Sequence, residues 1–167
     1  MEFYTATCLN WQPLLDDDTS KNIIMDSLKF LVEDKRIWLY GFVVMPNHIH
    51  LLWSKQEAYI AKNVQRRFMT YTAQQLKFKL LDANSTQLGN YKSTQEDREY
   101  QFWERRPYKA TMYNRSAAEQ KLEYIHQNPV KAGLCKNAED YEFSSARYYK
   151  LNEEKRWNFL THYMEHI

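Results

Sequence analysis

Apolar positions recur along the chain with two different periods, and the changes of period mark out its elements. Phe3 to Leu9 mixes aromatic residues with Thr in the manner of a strand. Asp16-Asp17-Asp18-Thr19-Ser20 is a turn and helix-start cluster. Ile23, Ile24, Leu28, Leu31 and Val32 follow at helical spacing, which predicts a first helix over about 20–34. Ile37 to Met45 is β-rich and almost wholly apolar, Pro46-Asn47 signals a turn, and His48 to Trp53 resumes the apolar run. Two such runs around a turn predict an antiparallel hairpin near the centre of a sheet. Val64, Phe68, Tyr71 or Thr72, and Leu76 predict a second helix over about 60–80, and the polar stretch Asp82 to Arg98 reads as a loop. Tyr100 to Met112 reads as a strand that Pro107 confines to an edge or interrupts. Ser116 with Glu119 forms a capping box for a third helix, which Pro129 should end near Gln127 or Asn128.

The order β-α-β-β-α-β-α predicts an α+β fold: a ferredoxin-like, RRM-like antiparallel sheet with helices on one face. The expectation is a single domain over 1–167, with a core over about 1–135 and a mixed, aromatic C-terminal extension over about 136–167. A chain of 167 residues suits one domain and can bury a core without disulfides. With 44% apolar and 26% charged residues, wholesale disorder is excluded. Three glycines are too few for a Gly-rich phosphate cradle. Cys8 and Cys135 stand alone, which argues against a thiolate zinc site and a disulfide framework and fits a reducing cytoplasm. No signal peptide is visible, and the longest apolar run, Gly41 to Met45, is too short to cross a membrane.

Net charge is only +2, but it is unevenly spread. From Lys62 to Lys79 there are five basic residues, Lys62, Arg66, Arg67, Lys77 and Lys79, and no acidic one. Arg105, Arg106, Lys109 and Arg115 form a second basic stretch. Such patches suit a polyanion, although charge alone fits a solvated helix face equally well. Aromatic residues reach 16%, including 13 Tyr and 5 Trp, and can serve as core or as stacking platforms for unpaired bases.

Two constellations carry candidate chemistry. In His48-Ile49-His50, residues i and i+2 of a strand share a face, so both imidazoles project together and make half of a metal site. Alone, the pair fits two unrelated strand histidines as well. On the third helix Gln120, Lys121, Tyr124, Gln127 and Asn128 share one face, while Ala118, Leu122 and Ile125 form an apolar face for the sheet. A tyrosine so placed is a candidate nucleophile or a simple amphipathic boundary residue.

Val43-Val44-Met45-Pro46-Asn47-His48-Ile49-His50-Leu51-Leu52-Trp53 resembles the HUH segment of single-tyrosine transposases, where U is a bulky apolar residue. Tyr124-Ile125-His126-Gln127-Asn128-Pro129-Val130-Lys131-Ala132-Gly133-Leu134 resembles the tyrosine helix of the REP-associated tyrosine transposase branch. Tyr141 to Arg147 resembles that branch's downstream motif, and Phe102-Trp103-Glu104-Arg105-Arg106 its strand before the tyrosine helix. The resemblance covers about 40–150 in order and spacing. It implies a divalent metal, Mg2+ or Mn2+, held by His48, His50 and Asn128. It implies Tyr124 as the nucleophile on single-stranded or hairpin DNA, leaving a 5′-phosphotyrosine and a free 3′-OH. Mixed His and Asn ligands suit Mn2+ by softness, Mg2+ by the resemblance.

Lys121, one turn before Tyr124, is placed to stabilise a phenolate. Arg66, Arg67, Lys77, Arg105, Arg106, Lys109 and Lys121 are the expected DNA contacts. No protein partner is evident, and monomer and homodimer both remain open. The alternatives are a non-catalytic single-strand-binding module on the same fold and a small metal-binding regulatory protein, which the basic stretches disfavour.

Overall fold

The computed structural model describes residues 1–153 and 155–166. Its elements are β1 (Glu2–Thr7), α1 (Asp18–Glu33), β2 (Ile37–Val44), β3 (His48–Lys55), α2 (Val64–Asp82), β4 (Tyr108–Thr111), α3 (Arg115–Lys131) and α4 (Ala146–Lys150). The four strands form one open antiparallel sheet in the order β2-β3-β1-β4. β3 sits between β1 and β2, so the β1-α1-β2 crossover spans a strand inserted later in the chain, the split βαβ arrangement. This is the expected α+β class, with a helical C-terminal extension, but helices flank both faces of the sheet rather than the one expected, α1 and α2 on one side and α3 on the other.

Local chemistry accounts for most boundaries. Asp17 caps α1 by accepting from the Ser20 N–H at 2.9 Å, and Asn63 caps α2 by accepting from the Arg66 N–H at 3.0 Å. The cap of α3 is Asn114 rather than Ser116: its side-chain oxygen accepts from the Ala117 N–H at 2.9 Å. Glu119 turns instead to Arg115 at 2.7 Å and to the Tyr163 hydroxyl at 2.6 Å. Pro129 does not stop α3, which runs on to Lys131. A proline removes only its own bond to the preceding turn, and the helix recovers with the Ala132 N–H on the Asn128 carbonyl before Gly133 turns it off at φ +71°. The expected long strand over 100–112 shrinks to β4 and two isolated antiparallel bridges, Trp103 with Cys8 and Tyr100 with Lys92. The chain bends at Arg105 and Arg106 between Trp103 and β4.

Strand pleat separates two faces. One face carries Tyr4, Ala6, Leu39, Phe42, Ile49, Leu51 and Trp53 into a large core with Ile24, Leu28 and Leu31 of α1 and Phe68, Leu76 and Leu80 of α2. The opposite face carries Phe3, Tyr40, Val43 and Leu52 against Ala118, Leu122 and Ile125 of α3. Gly41 lets α3 approach β2, since a Cβ there would collide with Leu122 Cδ2. The extension staples the helix down: Ser145 Oγ accepts from the Phe42 N–H at 3.0 Å and lies 2.9 Å from His126 Nε2.

Candidate functional site

His48 and His50 project from β3 on the α3 face of the sheet, their ring centroids 4.7 Å apart. Because α3 continues through Pro129, Asn128 lies one helical turn after Tyr124, and both reach the two histidines. The Asn128 amide sits between the rings. Its Nδ2 donates to His50 Nε2 at 3.1 Å, and its Oδ1 accepts from His48 Nε2 at 3.2 Å. His50 then carries its proton on Nδ1, which donates to Thr5 Oγ1 at 2.7 Å. His48 Nδ1 lies 2.7 Å from the Asn47 side-chain oxygen. Tyr124 presents its ring edge-on to His50 at 5.1 Å and to Phe3 at 5.8 Å, and remains 40% exposed. Lys121 Nζ stands 5.5 Å and Lys131 Nζ 5.9 Å from the Tyr124 ring. The structure thus brings together Tyr124, His48, His50, Asn128 and Lys121.

The expected divalent metal is corrected. Among the described residues no three His, Cys, Asp or Glu side chains come together to hold one. His48 and His50 are a pair without a carboxylate, and three of their four ring nitrogens, His48 Nε2 and both of His50, are already hydrogen-bonded to Asn128 and Thr5. The third expected ligand, Asn128, spends both amide atoms on the two rings. His48, His50 and Asn128 therefore form a closed hydrogen-bonded row rather than a site for Mg2+ or Mn2+. Burial keeps the imidazoles uncharged. It lowers the pKa of His50 to about 3, helped by the repulsion that a proton there would meet from a protonated His48 and from Lys121. It also lowers that of His48, against the raising effect of the Asn128 bond.

The expected DNA contacts divide among several surfaces. Arg66, Arg105 and Lys109 line a cleft of about 890 Å3 between α2 and the 97–109 segment, with Arg98 and Tyr100. Arg106 and Arg105 line a neighbouring hollow beside Thr7 and Trp11. Arg67 lies elsewhere, in a cleft between α1 and α2 with Phe30, Arg36 and Tyr71. Lys77 pairs with Glu99 at 3.4 Å and covers the Tyr100 ring. Arg105 has Asp97 at 3.8 Å. Lys79, from the same basic stretch, is spent on Asp17 and Ser20.

Sequence reading missed Thr5, Asn47 and Trp11. The β1–β3 register that sets Thr5 opposite His50 is a tertiary fact. Asn47 reads as turn chemistry and no more. Trp11 is 61% exposed and meets His48 edge-on at 5.7 Å, and nothing in its neighbours along the chain marks it as other than core.

Neither the models of known protein families nor the curated proteins give a match to this chain. Solved structures do. A REP-associated tyrosine transposase bound to a REP hairpin superposes with a TM-score of 0.62 at 20% identity, over 87% of this chain and 76% of that one. A candidate transposase from Deinococcus radiodurans gives 0.50 at 15% identity, over 76% of this chain and 89% of that one. At these identities the likeness is one of fold. No helix among the described residues is long and apolar enough to cross a membrane.

Proposed function

We propose that the protein cuts and rejoins single-stranded or hairpin DNA, with Tyr124 as the nucleophile. The observation that carries this reading is the convergence, on one open sheet face, of a half-exposed phenol, two uncharged imidazoles bridged by Asn128, and the ammonium groups of Lys121 and Lys131. In the reaction the Tyr124 oxygen bonds to phosphorus while the bond to the 3′ oxygen breaks, giving a 5′-phosphotyrosine and a 3′-OH. The phenol loses its proton as it attacks, and the departing 3′ oxygen gains one. Lys121 and Lys131 meet the negative charge that grows on the phosphate oxygens. The row His48–Asn128–His50–Thr5 fixes ring orientation, so the helix bearing Tyr124 is held against the strand bearing the histidines. The shared fold with a hairpin-bound transposase supports DNA as the substrate class.

Exposed Trp11, Tyr108 and Tyr113 favour a second reading, a single-strand-binding module without chemistry. Incubation with labelled hairpin DNAs separates the two. The nuclease reading expects a denaturation-resistant protein–DNA adduct that Tyr124→Phe abolishes while DNA binding persists. Tyr108→Phe and Tyr113→Phe should still form it. An adduct that survives Tyr124→Phe overturns the assignment of the nucleophile. Binding without any adduct leaves the module.

A further inference from the structure

Trp11 occupies a position its backbone does not favour. Asn10 and Trp11 both have positive φ, 53° and 57°. Asn tolerates that region through its short polar side chain, whereas a bulky residue does not. The ring gains little burial in return, being 61% exposed. The turn is nonetheless held firmly: the Asn10 N–H donates to Glu104 Oε1 at 2.8 Å, and the Trp11 N–H donates to the Cys8 carbonyl at 3.0 Å. The first of these bonds ties it to the segment that carries Arg105 and Arg106. The result is a hollow of about 440 Å3, walled by Trp11 on one side and by Thr7, Glu104, Arg105 and Arg106 on the others. It opens beside His48, which Trp11 meets edge-on.

We propose that this hollow holds one unpaired DNA base next to the cleavage point, stacked on Trp11, with its backbone phosphate on Arg105 and Arg106. The assignment rests on the nuclease reading above, since it takes the strand to lie across His48 and Tyr124. An indole offers the flat face a base needs, and two adjacent exposed guanidinium groups suit a phosphate. The volume falls within the roughly 300–1,000 Å3 of ordinary small-ligand sites. A strained and exposed tryptophan has no packing reason to be there, and strain of this kind gathers at ligand contacts.

The test uses the full chain and hairpin DNAs with single-stranded arms, in which one base at a time is replaced by an abasic site. Affinity is read by fluorescence anisotropy and stability by thermal unfolding. For the wild-type protein one arm position should stand out, its abasic form binding on the order of tenfold more weakly. Trp11→Gly relieves the positive φ, so it should unfold at the same temperature or higher. It should also bind the intact DNA on the order of tenfold to a hundredfold more weakly and lose sensitivity at that one position. Trp11→Phe should keep most of the affinity. If Trp11→Gly binds as tightly as wild type with the same abasic profile, the base site is wrong and the nuclease reading stands. Wild-type protein that leaves every single-stranded arm unbound overturns the nuclease reading and the Trp11 site with it.

Discussion

The two faces of the sheet are built from the same four strands and share no purpose. Residues Tyr4, Ile49 and Leu51 point into a large apolar core closed by α1 and α2. The residues between and beside them, Thr5, His48 and His50, point to the face where α3 supplies Asn128, Tyr124 and Lys121. One face is sealed and the other is half covered, and a shift of one residue along β3 exchanges packing for chemistry. The sealed face can therefore hold the polar side chains of the other in fixed register without contributing an atom to the reaction.

The sharpest way to break this division is to damage the sealed face alone. Leu51→Ala should cost about 2–5 kcal/mol in urea unfolding, because Leu51 is fully buried, yet the folded fraction should still form the DNA adduct at the wild-type rate. An adduct rate that falls with stability would mean that the faces are not separable.

Acid should act on the other face first. His50 titrates near 3 and His126 near 4 in the folded protein, both depressed by burial, against an ordinary value of about 6.5. As pH falls through about 6.5 the unfolded chain takes up protons that the folded chain refuses. Stability present at neutral pH is therefore lost as pH falls from about 6.5 to 4 for His126, by about 3 kcal/mol for that group alone, and on to about 3 for His50. Urea midpoints across that range should slope upward with pH, and His126→Gln, which can keep the Ser145 contact, should flatten the slope.

A third probe separates the faces by sterics. Gly41→Ala drives a methyl into Leu122 and should cost about 1–3 kcal/mol. In a Leu122→Ala background the same change should cost markedly less, which a double-mutant cycle of thermal unfolding reads directly. The smallest effect expected is on DNA binding. Arg66→Ala and Arg105→Ala should each lower the slope of log affinity against log salt by about one, whereas Arg67→Ala, on the α1–α2 side, should leave it unchanged.

Much of the framework is legible in the chain because periodicity reports burial. The β2–β3 hairpin, α1 and α2 lie within a few residues of their expected bounds, and Asp17 caps where its acidic cluster suggests. Failures occur where tertiary context outweighs a local rule. Pro129 ends a helix on paper, but burial carries α3 one turn further. Asn114 takes the cap from Ser116, and Glu119 is drawn off by Tyr163. At the site, pleat sets His48 beside His50 and helical spacing sets Asn128 one turn from Tyr124, whereas the meeting of Asn128 with the histidines followed from the resemblance alone. The metal does not follow, because side-chain spacing cannot reveal that Thr5 and Asn128 have already claimed three of the four imidazole nitrogens.

The strand order β2-β3-β1-β4 also sets a timetable. The hairpin of β2 and β3 closes across a short turn, whereas Glu2 must wait for Thr111 before β1 gains its second neighbour. Pairings so distant in sequence are slow to close. On a growing chain α1, the hairpin and α2 can begin the sealed core, which Phe102, Trp103, Phe143 and Leu160 complete later, while His48 and His50 lack Asn128 until α3 arrives. Amide exchange should follow the same order, with β4 protons the first to leave and the β2–β3 ladder the last.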